Sequence, residues 1–254
     1  NRGKILGFTT KTFLPNYGEF YERRQFCEGP SYARDISLNG EEIPFGPQLV
    51  YEVEELEGLA VSAEICEDVW SAVPPSIQAA REGATIIVNC SASDETIGKA
   101  SYRESLIEGQ SARLICGYIY ANAGEGESTT DLVFGGHNMI AENGITLASA
   151  KRFENGIIYS EIDYKRMVSE RRKNTTFQSA EDRELTWIPF RLHKEETKLT
   201  RTFSSRPFVP GEAFERARRC EEILMIQAMG LKKRLAHTHA KSAVVGISGG
   251  LDST

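Results

Sequence analysis

Residues 59–70 read Leu59-Ala60-Val61-Ser62-Ala63-Glu64-Ile65-Cys66-Glu67-Asp68-Val69-Trp70. Leu59, Val61, Ala63 and Ile65 recur at period two, which predicts a strand ending at Cys66. The run then breaks into the acids Glu67 and Asp68, so the cysteine stands at a strand-to-helix elbow at the edge of a sheet. Backbone N–H groups just past such an elbow can stabilise an oxyanion, and a thiol held there is placed to attack a carbonyl. The other reading of Cys66 is a small core hydrophobe, as most free cysteines are.

The text around the elbow alternates strands and helices from Lys4 to about Asp163. Pro74-Pro75 opens a short helix that stops at Gly83, and Thr85 to Cys90 is a continuously apolar, β-branched run that predicts a strand covered on both faces. Cys90 is then a core residue. Lys99 to Leu114 has a helical pattern, and Tyr118-Ile119-Tyr120 follows as a strand. Two Glu-Asn-Gly triplets, Glu142 to Gly144 and Glu154 to Gly156, predict type I′ hairpins and an antiparallel edge. These βα units and hairpins predict an α/β domain with a mixed sheet inside and helices outside.

Cys66 has no histidine partner in this text. The cation suited to that place is Lys11, in Thr10-Lys11-Thr12-Phe13-Leu14-Pro15-Asn16-Tyr17, at the end of a strand pattern from Ile5 to Thr9. A lysine beside a thiol lowers its pKa and can donate to a developing negative charge. Taken alone, Lys11 also reads as a solvated surface lysine.

Composition narrows the function classes. Hydrophobic residues make up 40% and charged residues 26% of the 254, with a net charge of −6, so the chain reads as a globular enzyme-sized protein without a basic nucleic-acid surface. No run approaches the ~18 consecutive apolar residues of a membrane span, and the chain reads as cytosolic. Five cysteines (Cys27, Cys66, Cys90, Cys116, Cys220) with no Cys-x2-Cys pair speak against a disulfide framework and a zinc site.

After a charged helix from Tyr164 to Asn174, residues 175–210 are polar, hold Pro189, Pro207 and Pro210, and read as a linker. A long helix from about Glu212 to His237 follows, with Ile223, Leu224, Ile226 and Met229 in its apolar stripe. It leads into a strand-like run, Ala243-Val244-Val245, and then Gly246-Ile247-Ser248-Gly249-Gly250-Leu251-Asp252-Ser253. Glycines there leave backbone N–H groups open to a polyanion, which predicts a phosphate cradle; the alternative is a plain turn. No lysine follows the glycines, so the loop departs from the Gly-x4-Gly-Lys-Ser/Thr type. A nucleotide loop ending at Thr254 and a start at Asn1 predict a fragment: 1–174 one domain, 175–210 a linker, 211–254 the opening of a second.

Lys4 to Tyr21, Glu64 to Asp68 and Asn89 to Ser93 resemble the Lys and Cys motifs of the nitrilase superfamily, and Tyr118 to Asp131 resembles its glutaminase branch. The terminal Ser-Gly-Gly-Leu-Asp-Ser resembles the pyrophosphatase loop of adenylating ligases. In this order they resemble the glutamine-dependent NAD synthetase family. The resemblance implies an incomplete nitrilase-like α-β-β-α sandwich, followed by the opening of a Rossmann-like ATP-pyrophosphatase domain.

It implies Cys66 as nucleophile and Lys11 as oxyanion stabiliser; the family's general-base Glu lies in an upstream Pro-Glu segment that no residue here matches. Glu19 matches the acid that orients the lysine, and Tyr17, Glu67 and Ser93 match glutamine-holding positions. On pattern alone Glu67 is a helix N-terminal acid and Ser93 a cap. Ser248, Gly249, Gly250 and Ser253 would cradle ATP, and Asp252 would hold Mg²⁺. Glutamine-derived ammonia would reach adenylated deamido-NAD inside a homo-oligomer. Two other readings are a free-standing carbon–nitrogen hydrolase, which the phosphate loop opposes, and a catalytically incomplete assembly module.

Overall fold

The structure, a computed structural model, describes residues 1–127, 131–180, 182–203 and 205–251. It has two compact units, Asn1–Thr200 and Arg201–Thr254.

The first unit is built on a seven-stranded mixed sheet. Its strands are β4 (Leu49–Val53), β5 (Ala60–Ile65), β6 (Ile86–Ser91), β7 (Gly117–Asn122), β8 (Met139–Glu142), β9 (Ile145–Ser149) and β10 (Thr186–Phe190), in the order β10-β4-β5-β6-β7-β8-β9. The centre, β5-β6-β7, is parallel, and its crossovers are the helices α1 (Pro75–Glu82) and α2 (Lys99–Leu114). Parallel neighbours need such a crossover to return the chain to the same sheet end. Gly83 ends α1 at φ 124, as its position predicts. Ile87, Ile107, Leu114, Tyr118 and Met139 belong to one buried core between these helices and the sheet.

β5 has the predicted period with the opposite phase. Ala60, Ser62 and Glu64 are the buried set, and Val61, Ala63 and Ile65 are only half-buried. Polar side chains tolerate this because each finds partners: Ser62 Oγ donates to the Leu49 carbonyl at 3.0 Å, and Glu64 accepts from Tyr118 and from the Ser76 N–H.

The first Glu-Asn-Gly triplet is a hairpin, with Asn143 and Gly144 at φ 45 and 84 between β8 and β9. The second, 154–156, is not. No strand flanks it, and the exposed Ile157 and Tyr159 that follow find no ladder to join.

Within the stretch read as a linker, residues 186–190 are strand β10, paired in parallel with β4. Pro189 masked it in the sequence; β10 is the sheet's edge, where a missing N–H breaks no ladder bond. Helix α3 (Tyr164–Lys173) is fastened by Arg171, whose guanidinium donates to the carbonyls of Ala80, Ala84, Leu114 and Ile115. Those carbonyls close the C-terminal ends of α1 and α2, where a cation is favoured. Burial pulls the Arg171 pKa down to about 10.

A smaller sheet has the order β1-β3-β2, from β1 (Phe8–Thr9), β2 (Arg34–Leu38) and β3 (Glu41–Gly46). The strand expected from Ile5 to Thr9 is paired only over its last two residues, Phe8 and Thr9, which lie beside Phe45 and Gly46.

In the second unit, α4 (Ala213–His237) agrees with the expected helix, and its stripe residues Ile223, Leu224, Ile226 and Met229 are exposed. Ala243-Val244-Val245 is not a strand. A strand exists by pairing, and no strand of the described residues lies in this unit. No helix of the described residues is long and apolar enough to cross a membrane.

Candidate active site

β5 ends at Ile65, and the chain turns at Cys66 with φ 48 into a short 3-10 helix, Cys66–Trp70. A left-handed φ on a residue with a side chain is costly, on the order of 1–2 kcal/mol, and the surroundings must hold it. Asp68 is one holder. Its Oδ2 accepts from the Ile65 N–H at 2.8 Å, and its Oδ1 accepts from the N–H groups of Thr12 and Phe13 at 3.0 and 2.9 Å. One buried carboxylate thus ties the elbow to the segment that carries Lys11. Burial lifts the Asp68 pKa, opposed by those three N–H donors and by Lys11.

Lys11 and Cys66 line the same cavity, of about 1040 Å³. The wall beside them includes Glu22, Cys90, Ser91 and Ala92. Lys11 Nζ sits 2.5 Å from Glu22 Oε2. Burial pushes the Cys66 thiol up; the charge of Lys11, the Ala92 N–H and the Ser91 hydroxyl all work to lower it, and Glu22 adds to the rise. The resting elbow therefore favours a thiol, with donors in place for the thiolate.

The carbon–nitrogen hydrolase family matches residues 2–172. The chain belongs to that family. A glutamine-dependent NAD(+) synthetase of Mycobacterium tuberculosis strain H37Rv is 41% identical over 264 residues, covering 100% of this chain and 39% of that one. One of Aquifex aeolicus is 30% identical, over 100% of this chain and 40% of its own. Among solved structures, a glutamine-dependent NAD(+) synthetase from Cytophaga hutchinsonii superposes with a TM-score of 0.50 at 32% identity, over 58% of this chain and 23% of that one. The chain thus spans about two fifths of the length of the bacterial relatives it matches.

Several expected site residues sit differently in this carbon–nitrogen hydrolase unit. The carboxylate on Lys11 is Glu22, not Glu19, which is exposed. The chain folds back after Pro15, whose carbonyl accepts the Glu22 N–H at 3.1 Å, so eleven residues of spacing close a contact that eight do not. Tyr17 donates to Glu67 Oε1 at 2.6 Å, and neither is on the cavity wall. Ser93 is buried behind that wall; its N–H donates to Asn122 Oδ1 at 2.8 Å, and Arg103 Nη2 reaches its hydroxyl at 3.5 Å. Cys90 is exposed and on the wall rather than in the core. Only the first part of β6 is covered on both faces, because its C-terminal end opens into the cavity.

Asp68, Asn89 and Ser91 also gather at the Cys66 elbow and have no periodic signature. An acid two residues past the elbow was the one legible hint. In the second unit, Ser248, Gly249 and Gly250 are exposed, with Gly249 at φ 83; Asp252 and Ser253 lie outside the described residues.

Proposed function

We propose that this chain is the glutaminase part, and the start of the ATP-binding part, of a glutamine-dependent NAD(+) synthetase. The observation that carries this reading is Cys66 and Lys11 on one cavity wall, in a chain similar from end to end to such synthetases.

In this reaction the Cys66 sulfur attacks the side-chain amide carbon of glutamine. The carbonyl π pair moves to oxygen, where Lys11 donates to it, and Glu22 holds the lysine in place. The tetrahedral adduct collapses with cleavage of the C–N bond, and the thiol's proton leaves with nitrogen as ammonia. Water then attacks the thioester, releasing glutamate and returning the proton to sulfur. A general base shuttles these protons, the role of the upstream Glu in the family. The Tyr17–Glu67 pair suits the glutamine ammonium, and Ser93 acts by shaping the wall from behind.

The loop at 246–253 is proposed for ATP. The left-handed Gly249 fits a nest of backbone N–H donors, and an added Cβ there would meet nothing within 4 Å. Asp252 would hold Mg²⁺. When bound, ATP supplies an acyl adenylate of the deamido-NAD carboxylate, with pyrophosphate as the leaving group. The same reading carries a homo-oligomer in the cytoplasm.

The test supplies the intact gene product with amide-¹⁵N glutamine, ATP and deamido-NAD. Label in the product amide is expected. Ammonia release without any ATP-dependent product would instead identify a free-standing carbon–nitrogen hydrolase.

A further inference from the structure

Across the central sheet, Glu64, Asn89 and Tyr120 occupy one register row, and all three are buried. Polar residues in that layer need a reason, because an apolar row would fill it without hydrogen-bond obligations. Asn89 supplies one. Its Oδ1 accepts the Cys66 N–H at 3.2 Å, and its Nδ2 donates to the Cys66 carbonyl at 3.4 Å. A single amide therefore grips both peptide groups that flank the left-handed residue. The Asn amide offers an acceptor and a donor on separate atoms.

The same Oδ1 accepts from the Ser91 hydroxyl at 2.7 Å, and Ser91 lines the same cavity as Cys66, where its hydroxyl works to lower the thiol's pKa. A hydroxyl has one proton and two lone pairs. With Cys66 as a thiol, Ser91 can donate to Asn89 and accept from S–H; with Cys66 as a thiolate, the proton can turn to sulfur. Beside Asn89 in that row, Glu64 accepts from Tyr118 and takes the Ser76 N–H at 3.0 Å in the first turn of α1.

We propose that Asn89 is the positioning residue of the nucleophile: it locks the peptide at Cys66 and holds the Ser91 proton ready for the thiolate. The proposal rests on the reading of Cys66 as the glutaminase nucleophile. Lys11 and Glu22 from the lysine segment, and Tyr120 from β7, face the same sulfur and stay unchanged in the test.

The experiment makes Asn89→Ala and Asn89→Asp in the intact gene product. It measures glutamine kcat and KM, the pH profile of iodoacetamide alkylation at Cys66, and ammonia-driven synthesis as a check on folding. Asn89→Ala is expected to lower kcat about 100-fold with little change in KM, the scale of a misplaced reacting group. Asn89→Asp keeps the acceptor and the shape, loses the donor and adds a negative charge, so its alkylation profile should move to higher pH. Wild-type kcat and an unmoved alkylation profile in Asn89→Asp would overturn the proposal, including in the case where Asn89→Ala fails to fold. A wild-type enzyme that alkylates at Cys66 but releases no ammonia from glutamine would defeat the glutaminase reading instead, and the shift between the two profiles would still decide the role of Asn89.

Discussion

Asp68 Oδ1 accepts the backbone N–H of Thr12 at 3.0 Å, across 56 residues of sequence. Thr12 follows Lys11 and Asp68 stands two residues beyond Cys66, so this bond ties together the two segments that carry the proposed catalytic pair. Asp68→Ala leaves the N–H groups of Ile65, Thr12 and Phe13 without their acceptor, which should cost about 2–4 kcal/mol of stability. Denaturant melts would read the loss, and hydrogen exchange should localise it to residues 10–14. Unchanged exchange there would show that the lysine segment has another anchor.

Cys66→Ala should abolish NAD formation from glutamine while synthesis from ammonium salts continues, because the proposed reactions use separate sites. Paired assays on one preparation decide it. An equal fall in both, with the fold intact, would show that the two activities are not divided in this way.

Burial raises the Cys66 thiol above its ordinary 9.0, and Lys11 is the first influence opposing that rise. Alkylation of the free enzyme should therefore increase with pH through a midpoint above 9.0, and Lys11→Met should carry the midpoint higher still. A Lys11→Met midpoint at or below that of the wild type would remove the lysine from the thiolate's surroundings.

Glu64 gives a stability prediction with a definite sign. Burial raises its carboxyl above 4.5, so the native state keeps a proton that the unfolded chain releases. That contribution is whole below pH 4.5 and is lost as pH climbs toward the raised native value. Glu64→Gln should thus gain on the wild type as pH rises, seen as a flatter plot of denaturation midpoint against pH. Parallel plots for the two proteins would contradict it.

Arg171→Met removes the donors from four backbone carbonyls at the ends of α1 and α2. A loss of about 3 kcal/mol is expected from leaving them unsatisfied. Thermal melts at neutral pH suffice, and a change under about 0.5 kcal/mol, the range of ordinary surface substitutions, would mean that water replaces the guanidinium without penalty.

What could be read in advance follows from what leaves a period. α2 was legible to its end residues, Lys99 and Leu114, because a helical stripe and charged flanks are local properties. β6, β7 and the Asn143-Gly144 turn were legible for the same reason. β2 and β3 were not read, since Glu41, Glu42 and Pro44 dilute any alternation in an exposed small sheet. β5 misled in phase, because Glu64 looks like a solvent residue until Tyr118 and Ser76 are seen to meet it. At the site, residue type and position made Cys66 and Lys11 candidates, beside the readings of a core cysteine and a surface lysine, and the family resemblance singled them out. Glu22, Asp68 and Asn89 act through contacts closed by the fold, which spacing along the chain does not encode.

β10 carries a consequence for biosynthesis. Leu49, Val50 and Val53 of β4 are fully covered in the finished sheet, yet their parallel partner, Thr186–Phe190, emerges from the ribosome far later than β4 does. Through that interval the nascent chain shows an apolar strand with a bare row of N–H and C=O groups, the kind of edge that other chains join. Pro189 makes the late partner itself a poor template for a further strand. The last strand added to this sheet is therefore also its stopper, and synthesis stalled before Thr186 should leave a product that aggregates through β4.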